Sequence, residues 1–417
     1  MKRRMQPVRG THDHLFEDRK KFEHIVSTAH NIAESYGYYH MDTPIFEFSD
    51  VFKKSLGDSS DIVSKEMYTF IDRSNEEITL RPEGTAGIIR AIISNGLTHQ
   101  MPFKAFYSGP MFRYERPQKG RLRQFHQIGI EHIGNQNPES DIEVIACGNR
   151  ILKKLKINEV TKLHINSLGD IEERNKFKDV LTEYLKKYKN KLSKDSINRL
   201  YKNPLRILDS KNEEDIQILT NAPKMQDFLK KESKENFKNV LDGIKSLGIK
   251  FEVDNNLVRG LDYYGHTTFE FITTELGSQG AVLAGGRYND LMKQMGGPDL
   301  SGIGWASGIE RLMLLTNPPI LKPKKVCVIP IGNKYSLLSL KIAENIREIG
   351  ITTNISFNGN LKKGLSYANK LQSNFAIMIG EEEAKTNCVM IKNLTNGIQE
   401  KLKINDLTNY FLKILKK

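Results

Sequence analysis

Cysteine is scarce in this chain of 417 residues: Cys147, Cys327 and Cys388 are odd in number and far apart. That spacing argues against a disulfide framework and a cysteine zinc site, and fits a reduced, cytosolic protein with ordinary thiols. Long apolar runs are missing too. No stretch approaches the ~18 unbroken apolar residues of a membrane span. Lys2, Arg3 and Arg4 are followed by no apolar segment of the signal-peptide kind, so no membrane association is expected. The pattern G-x-x-x-x-G-K-[ST] is also absent. Its nearest approach, Gly359-Asn360-Leu361-Lys362-Lys363-Gly364-Leu365, lacks the final Lys and Ser/Thr, which excludes a P-loop nucleotidase. There is no internal repeat or low-complexity tract.

What is present suffices for folded cores. Hydrophobic residues make up 38% and charged ones 27%, which excludes a wholly disordered chain. At roughly 150 residues per domain the length implies two or three domains. The net charge of +13 is unevenly placed: residues 1–169 carry +3 and 251–323 carry −3, whereas 170–250 carry +5 and 324–417 carry +8. A near-neutral body thus bears two basic segments. Solvated lysine-rich helices and a polyanionic partner both account for this, and its segregation tilts the reading toward the partner.

Three regions differ in pattern. Up to about residue 169, extended runs (103–107, 111–115, 124–132) alternate with helical ones (17–36, 85–93). Residues 170–250 are helical and charged, as in 172–191 and 230–247, and strand-rich text resumes at 257–273, 281–283 and 302–306. This is the pattern of a helical insertion within one domain. The segment 317–323 holds three prolines and reads as a linker. Beyond it, apolar runs at 326–331, 351–357, 375–379 and 389–391 predict a small α/β domain.

The densest chemical signal is the run 112–131. Pro117 and Gly120 break regular structure between two extended arms. Strand alternation places Arg113 with Glu115, and Phe125 with Gln127, Gly129 and Glu131. Such a surface suits a nucleotide: guanidinium for phosphate, a ring for the base, amide and acid for polar groups. Four Arg and one Lys within 113–123 also fit a loop that meets a nucleic-acid backbone. In Gly302-Ile303-Gly304-Trp305-Ala306-Ser307-Gly308-Ile309-Glu310-Arg311, a glycine-spaced strand runs into a helix, which serves either ligand approach or close packing. Leu257-Val258-Arg259-Gly260-Leu261-Asp262-Tyr263-Tyr264 and Leu283-Ala284-Gly285-Gly286-Arg287-Tyr288 set Arg and Tyr beside glycine. Glu83, just before a helix, either caps it or receives an ammonium group.

Together these segments resemble the histidyl-tRNA synthetases, a family of class II aminoacyl-tRNA synthetases. The hairpin is similar to motif 2, the glycine-spaced strand and helix to motif 3, and Tyr39-His40-Met41-Asp42-Thr43-Pro44-Ile45-Phe46-Glu47 to motif 1, whose proline lies at a dimer interface. Residues 257–264 and 283–288 resemble the histidine-specific signatures, and the likeness runs through Asn203-Pro204-Leu205-Arg206 in the insertion. His12 and His14, flanking Asp13, and Asn289 before Asp290 depart from the family pattern.

The resemblance implies an α/β (α+β) chain. It has a class II antiparallel-sheet catalytic domain at 1–323 with a helical insertion at 170–250, and an α/β anticodon-binding domain at 324–417. It implies a homodimer in the cytoplasm that activates L-histidine with ATP, accompanied by Mg²⁺, and charges tRNA(His). No protein metal site is implied. Glu83, Thr85 and Gln127 would hold the substrate's α-amino end, and Glu131 and Tyr264 its imidazole, with Arg259, Tyr263 and Tyr288 completing the pocket. Arg113 and Arg259 would flank the α-phosphate. Phe125 would stack on adenine, Glu115 and Arg121 would meet ATP, and Arg311 would take the γ-phosphate. Arg116, Gln118 and Arg123 would face the tRNA acceptor end. A regulatory relative that binds histidine without charging tRNA is the alternative, and retention of Arg113, Arg259 and Arg311 speaks against it.

Overall fold

The computed structural model describes residues 5–57, 60–118, 120–259, 263–277, 280–317 and 324–415. The chain forms two compact units, residues 1–318 and 319–417. Most of the proline-rich segment read as a linker, 318–323, lies outside the described residues.

The first unit contains β1 (Tyr39–His40), β2 (Phe46–Phe48), β3 (Tyr68–Ile71), β4 (Glu77–Leu80), β5 (Phe103–Phe112) and β6 (Gln124–Ile133). After these come β7 (Lys162–Ser167), β8 (Phe251–Val253), β9 (Gly265–Ile272), β10 (Ala281–Tyr288) and β11 (Gly302–Gly308). Eight of them form one sheet in the order β1-β5-β6-β11-β10-β9-β7-β8, while β2, β4 and β3 form a small separate sheet. Every pair in the large sheet is antiparallel except the outermost, β1 with β5 and β7 with β8.

Side-chain alternation gives this sheet two different faces. Phe106, Ile128, Ile130, Ile303 and Trp305 point into a core shared with the helices Phe16–Ser35, Pro138–Lys154 and Lys231–Ser246. Those helices bury Phe22, Ile25, Ala29 and Ala33, then Val144, Ile151 and Leu152, then Phe237, Val240 and Ile244, each set spaced as one helical stripe. The opposite face carries Tyr107, Tyr263, Tyr264 and Tyr288 beside the helix Thr85–Ser94. Residues 171–229 have an apolar cluster of their own, with Phe177, Leu181, Leu200, Ile207 and Met225. A reciprocal cap starts this segment: Glu173 N–H donates to Asp170 at 2.8 Å, and Asp170 N–H donates to Glu173 at 2.6 Å.

The second unit contains β12 (Lys325–Pro330), β13 (Thr352–Ile355), β14 (Phe375–Ile379), β15 (Cys388–Asn393) and β16 (Gln399–Lys403), in the order β13-β12-β14-β15-β16. β12 pairs parallel with β13 and β14, and the β15–β16 hairpin adds antiparallel strands. Val326, Ile342, Ile346, Ile377, Val389 and Phe411 form its core. The two units give the mixed α/β architecture expected, with an antiparallel-dominated main sheet.

Candidate functional site

A cavity of about 1630 Å³ opens on the tyrosine-bearing side of the main sheet. Its lining includes Glu83, Thr85, Arg113, Glu115, Arg121, Phe125, Gln127, Arg259, Tyr263, Tyr264 and Arg311. Glu131 and Tyr288 do not line it and are each 1% exposed.

The buried end is a linked polar set. Thr85 Oγ1 donates to Glu131 Oε1 at 2.7 Å, and the Tyr288 hydroxyl donates to Glu131 Oε2 at 2.6 Å. Burial pushes the Glu131 carboxyl up to about 8, against the pull of those two hydrogen bonds. Gly304, opposite Glu131 on the neighbouring strand, makes room: a Cβ there would lie 2.0 Å from Glu131 Oε2. Glu83 accepts from Thr85 N–H at 2.7 Å and Ala86 N–H at 2.8 Å, so it caps the helix Thr85–Ser94. Burial raises its pKa, and these N–H groups oppose the rise. The Tyr263 and Tyr264 ring centroids are 4.5 Å apart, and Tyr263 meets Tyr288 edge-on at 5.7 Å. Burial pushes the Tyr264 hydroxyl up to about 12.

The arginines are held by backbone carbonyls and acids. Arg113 Nε donates to Pro82 O at 2.8 Å, and its guanidinium lies 5.3 Å from the centroid of Phe125. Arg311 donates from Nε to Gly120 O at 3.1 Å and from Nη1 to Ala281 O at 2.7 Å. Burial and then Arg121 lower its pKa. Arg259 pairs with Glu270 and lies 5.5 Å from the Tyr264 ring. Burial would lower the Arg259 pKa, but Glu270 reverses that and raises it. Gln127 Oε1, Arg259 Nε and the Tyr263 hydroxyl are buried with no hydrogen-bond partner among the described residues. Unsatisfied buried polar atoms are costly, and three along one cavity mark a surface shaped for a ligand.

The hairpin departs from the sequence reading in one respect. Its first arm was expected to run in strand to Glu115, but β5 ends at Phe112. Arg113 N–H still bonds Arg123 O at 2.9 Å, and the chain then narrows to the Gln118–Arg121 bridge, with Gly120 at φ 76°. Arg113 and Glu115 therefore reach the cavity from a loop, and Glu115 pairs with Arg121 at 3.3 Å. Arg116, Gln118 and Arg123 do not line the cavity. Arg116 and Gln118 are exposed, and Arg123 sits 4.0 Å above the Tyr114 ring. Of the run 257–264, Gly260, Leu261 and Asp262 lie outside the described residues. Arg287 turns away from the cavity and is buried against Asp141, donating to Ser140 Oγ at 2.7 Å. Glu270 was missed by the sequence reading. Its signal was an acid between Phe269 and Phe271 in an apolar strand.

The profile of the family described as histidyl-tRNA synthetase matches residues 10–312, and that of an anticodon binding domain matches 325–414. The chain belongs to the histidyl-tRNA synthetase family. Its similarity to a protein named Histidine--tRNA ligase from Rhodospirillum rubrum is 48% identity over 412 residues, covering 99% of each chain. The apo histidyl-tRNA synthetase of S. aureus is 34% identical, with a TM-score of 0.82 over 98% of this chain and 99% of that one. A Bacillus halodurans chain titled ATP phosphoribosyltransferase regulatory subunit/histidyl-tRNA synthetase shares the fold at 20% identity, with a TM-score of 0.67 over 91% of this chain and all of that one. The fold of histidyl-tRNA synthetases therefore extends well beyond the range in which sequence alone speaks for activity. Among the described residues, no helix is long and apolar enough to cross a membrane.

Proposed function

We propose that this chain is a histidine–tRNA ligase. The carboxylate of L-histidine displaces pyrophosphate from ATP to give histidyl-adenylate, and the histidyl group then passes to the 3′ end of tRNA(His) with release of AMP. The observation that carries the reading is the Thr85–Glu131–Tyr288 set beside the unpaired Gln127, Arg259 and Tyr263 atoms. A buried carboxyl at the end of a tyrosine-walled pocket can accept an imidazole N–H. Thr85 and Tyr288 already give each Glu131 oxygen one donor, and an imidazole N–H adds a further one that a side chain without it cannot supply.

In this reading Glu131 and Tyr264 read the imidazole, with Tyr263 and Tyr288 as walls. Glu83, Thr85 and Gln127 hold the ammonium end. Glu83 keeps its helix-capping bonds while offering charge to the ammonium. Arg113 and Arg259 flank the α-phosphate where the substrate carboxylate attacks. They gather the charge that develops as the bond to pyrophosphate breaks, and they need little reorganisation because Pro82 O and Glu270 already orient them. Phe125 stacks on adenine, Glu115 and Arg121 meet ATP, and Arg311 takes the γ-phosphate. ATP enters as its Mg²⁺ complex. We assign the catalytic domain to 1–323, the acceptor-stem clamp to 170–250 and the anticodon-binding domain to 324–417, whose +8 suits a backbone-tracking contact. Arg116, Gln118 and Arg123 face the acceptor end. The exposed Tyr39, Phe46 and Phe48 around Pro44 support a homodimer, and we assign the enzyme to the cytoplasm.

ATP–pyrophosphate exchange with each of the twenty amino acids tests the reading. Exchange with histidine alone, without tRNA, is expected. A folded protein that binds histidine yet exchanges nothing would be the regulatory relative instead.

A further inference from the structure

At the margin of the assigned cavity, whose lining includes Glu310, three side chains from three separate elements converge on one point. His126 alternates with Phe125 and Gln127 along β6 and so faces the helical layer. Its Nδ1 lies 2.7 Å from Glu310 Oε1, and its backbone N–H bonds Glu310 Oε2 at 2.9 Å. His14 Nε2, from the segment preceding the first helix, lies 3.5 Å from the same Oε1. All three ligand-type atoms fall within 4.8 Å of one another, and the side chains are only 13–18% exposed. Phe22 walls both rings, at 5.4 Å from His14 and 4.9 Å from His126.

The local chain path is unusual for hydrophobic reasons. Leu15 and Phe16 are 58% and 84% exposed, while the polar His14 beside them is turned inward. Phe16 adopts φ 45°, a left-handed conformation that a bulky residue takes only when its surroundings impose it. Gly10 O accepts from Arg123 N–H at 2.7 Å, which ties the same segment to the base of the hairpin.

We infer that His14 Nε2, His126 Nδ1 and Glu310 Oε1 form a divalent transition-metal site, with Zn²⁺ the preferred occupant. Two imidazoles and one carboxylate are a zinc donor set, and the nitrogen donors select against Mg²⁺ and Ca²⁺. Bonds of about 2.0–2.1 Å put tetrahedral ligands about 3.3 Å apart, so atoms spanning 2.7 to at most 4.8 Å need only small side-chain movements. Water takes the fourth position. The metal would pin the N-terminal segment to the strand carrying Phe125 and Gln127 and to the helix carrying Arg311. Its role is structural.

The test is zinc uptake by the full chain after chelation and dialysis, measured by elemental analysis. One Zn²⁺ per chain is expected, falling to none in both His14→Gln and His14→Phe, the latter retaining a ring against Phe22. Co²⁺ loading should give the visible absorption of a four-coordinate ion in the unaltered protein alone. Circular dichroism shows whether each variant is folded. No uptake by the unaltered protein overturns the proposal and leaves a metal-free His–Glu–His hydrogen-bond cluster. Equal uptake by a folded variant overturns it as well.

Discussion

Glu131→Gln removes one titrating proton from the buried end of the pocket while keeping the shape of the side chain. Burial raises the Glu131 carboxyl from its ordinary 4.5 to about 8. The folded protein therefore holds a proton that the unfolded chain releases, and stability falls as pH rises from 4.5 to about 8. At about 1.4 kcal/mol per pH unit, the whole window amounts to about 5 kcal/mol. His132 works in the other direction. Burial pushes it down to about 4, so stability rises with pH between about 4 and 6.5. His132 is the next residue along the strand, but alternation turns its ring to the other face and the charges acting on it are Lys104, Glu143, Arg287 and Asp141, so its contribution is common to both proteins and cancels in their difference.

The assay is urea unfolding followed by the fluorescence of Trp305. It is the chain's single tryptophan, is 1% exposed, and lies on the strand paired to the Glu131 strand. Its signal therefore reports the first unit alone. The stability of Glu131→Gln minus that of the unaltered protein should climb by about 1.4 kcal/mol per pH unit between about pH 5 and about pH 8, then level off. The amide must rearrange its contact with the Tyr288 hydroxyl, which can accept as well as donate, and this adds only a pH-independent offset. A difference constant to within about 1 kcal/mol across that range would refute the reasoning, because Glu131 would then be ionised throughout.

Three further outcomes follow from the same geometry. Arg259→Ala should abolish histidine-dependent pyrophosphate exchange while leaving the circular dichroism spectrum unchanged; near-normal exchange would remove Arg259 from the chemistry. Arg287→Ala strips a partner from the fully buried Asp141, so urea unfolding should show a loss of roughly 3–5 kcal/mol; a loss under about 1 kcal/mol would contradict the burial of this pair. Gly304→Ala places a methyl group 2.0 Å from Glu131 Oε2. It should raise the KM for histidine at least about tenfold and cost about 1–3 kcal/mol of stability, and an unchanged KM would mean that Glu131 does not meet the substrate.

The features legible in the sequence were local ones. The hairpin arms, the glycine-spaced strand leading to Arg311 and the helix Thr85–Ser94 each declare themselves through short-range periodicity and turn residues. Glu83 displayed its capping position in the same way. The pairings were not legible. Arg287 meets Asp141 across 146 residues of sequence, and Thr85 meets Glu131 across 46. No periodicity encodes such contacts, which arise when strand order brings distant segments together. The strand Gln399–Lys403 escaped notice because an exposed edge strand has little apolar alternation to show. The run 257–273 reads as uniformly extended, yet among its described residues only Gly265–Ile272 is strand, and Leu257 N–H bonds to Asp254 O at 3.0 Å, closing a turn just before it.

The parallel pairing of β7 with β8 has a consequence for how the helical segment can vary. A chain leaving β7 at one end of the sheet must return to the other end to enter β8, and at least a dozen residues are needed to cross. The bridge ends in the helix Lys231–Ser246, whose Phe237, Val240 and Ile244 sit in the main core, so only the stretch before that helix is free to grow or shrink. Two polar contacts also tie that stretch to the rest of the unit. Arg174 donates to the carbonyl of Tyr264, and Arg206 pairs with Asp61. A shortened descendant that kept the strands and the helix Lys231–Ser246 but lost Arg174 would still fold its sheet, yet it would loosen the segment that presents Arg259 and Tyr264.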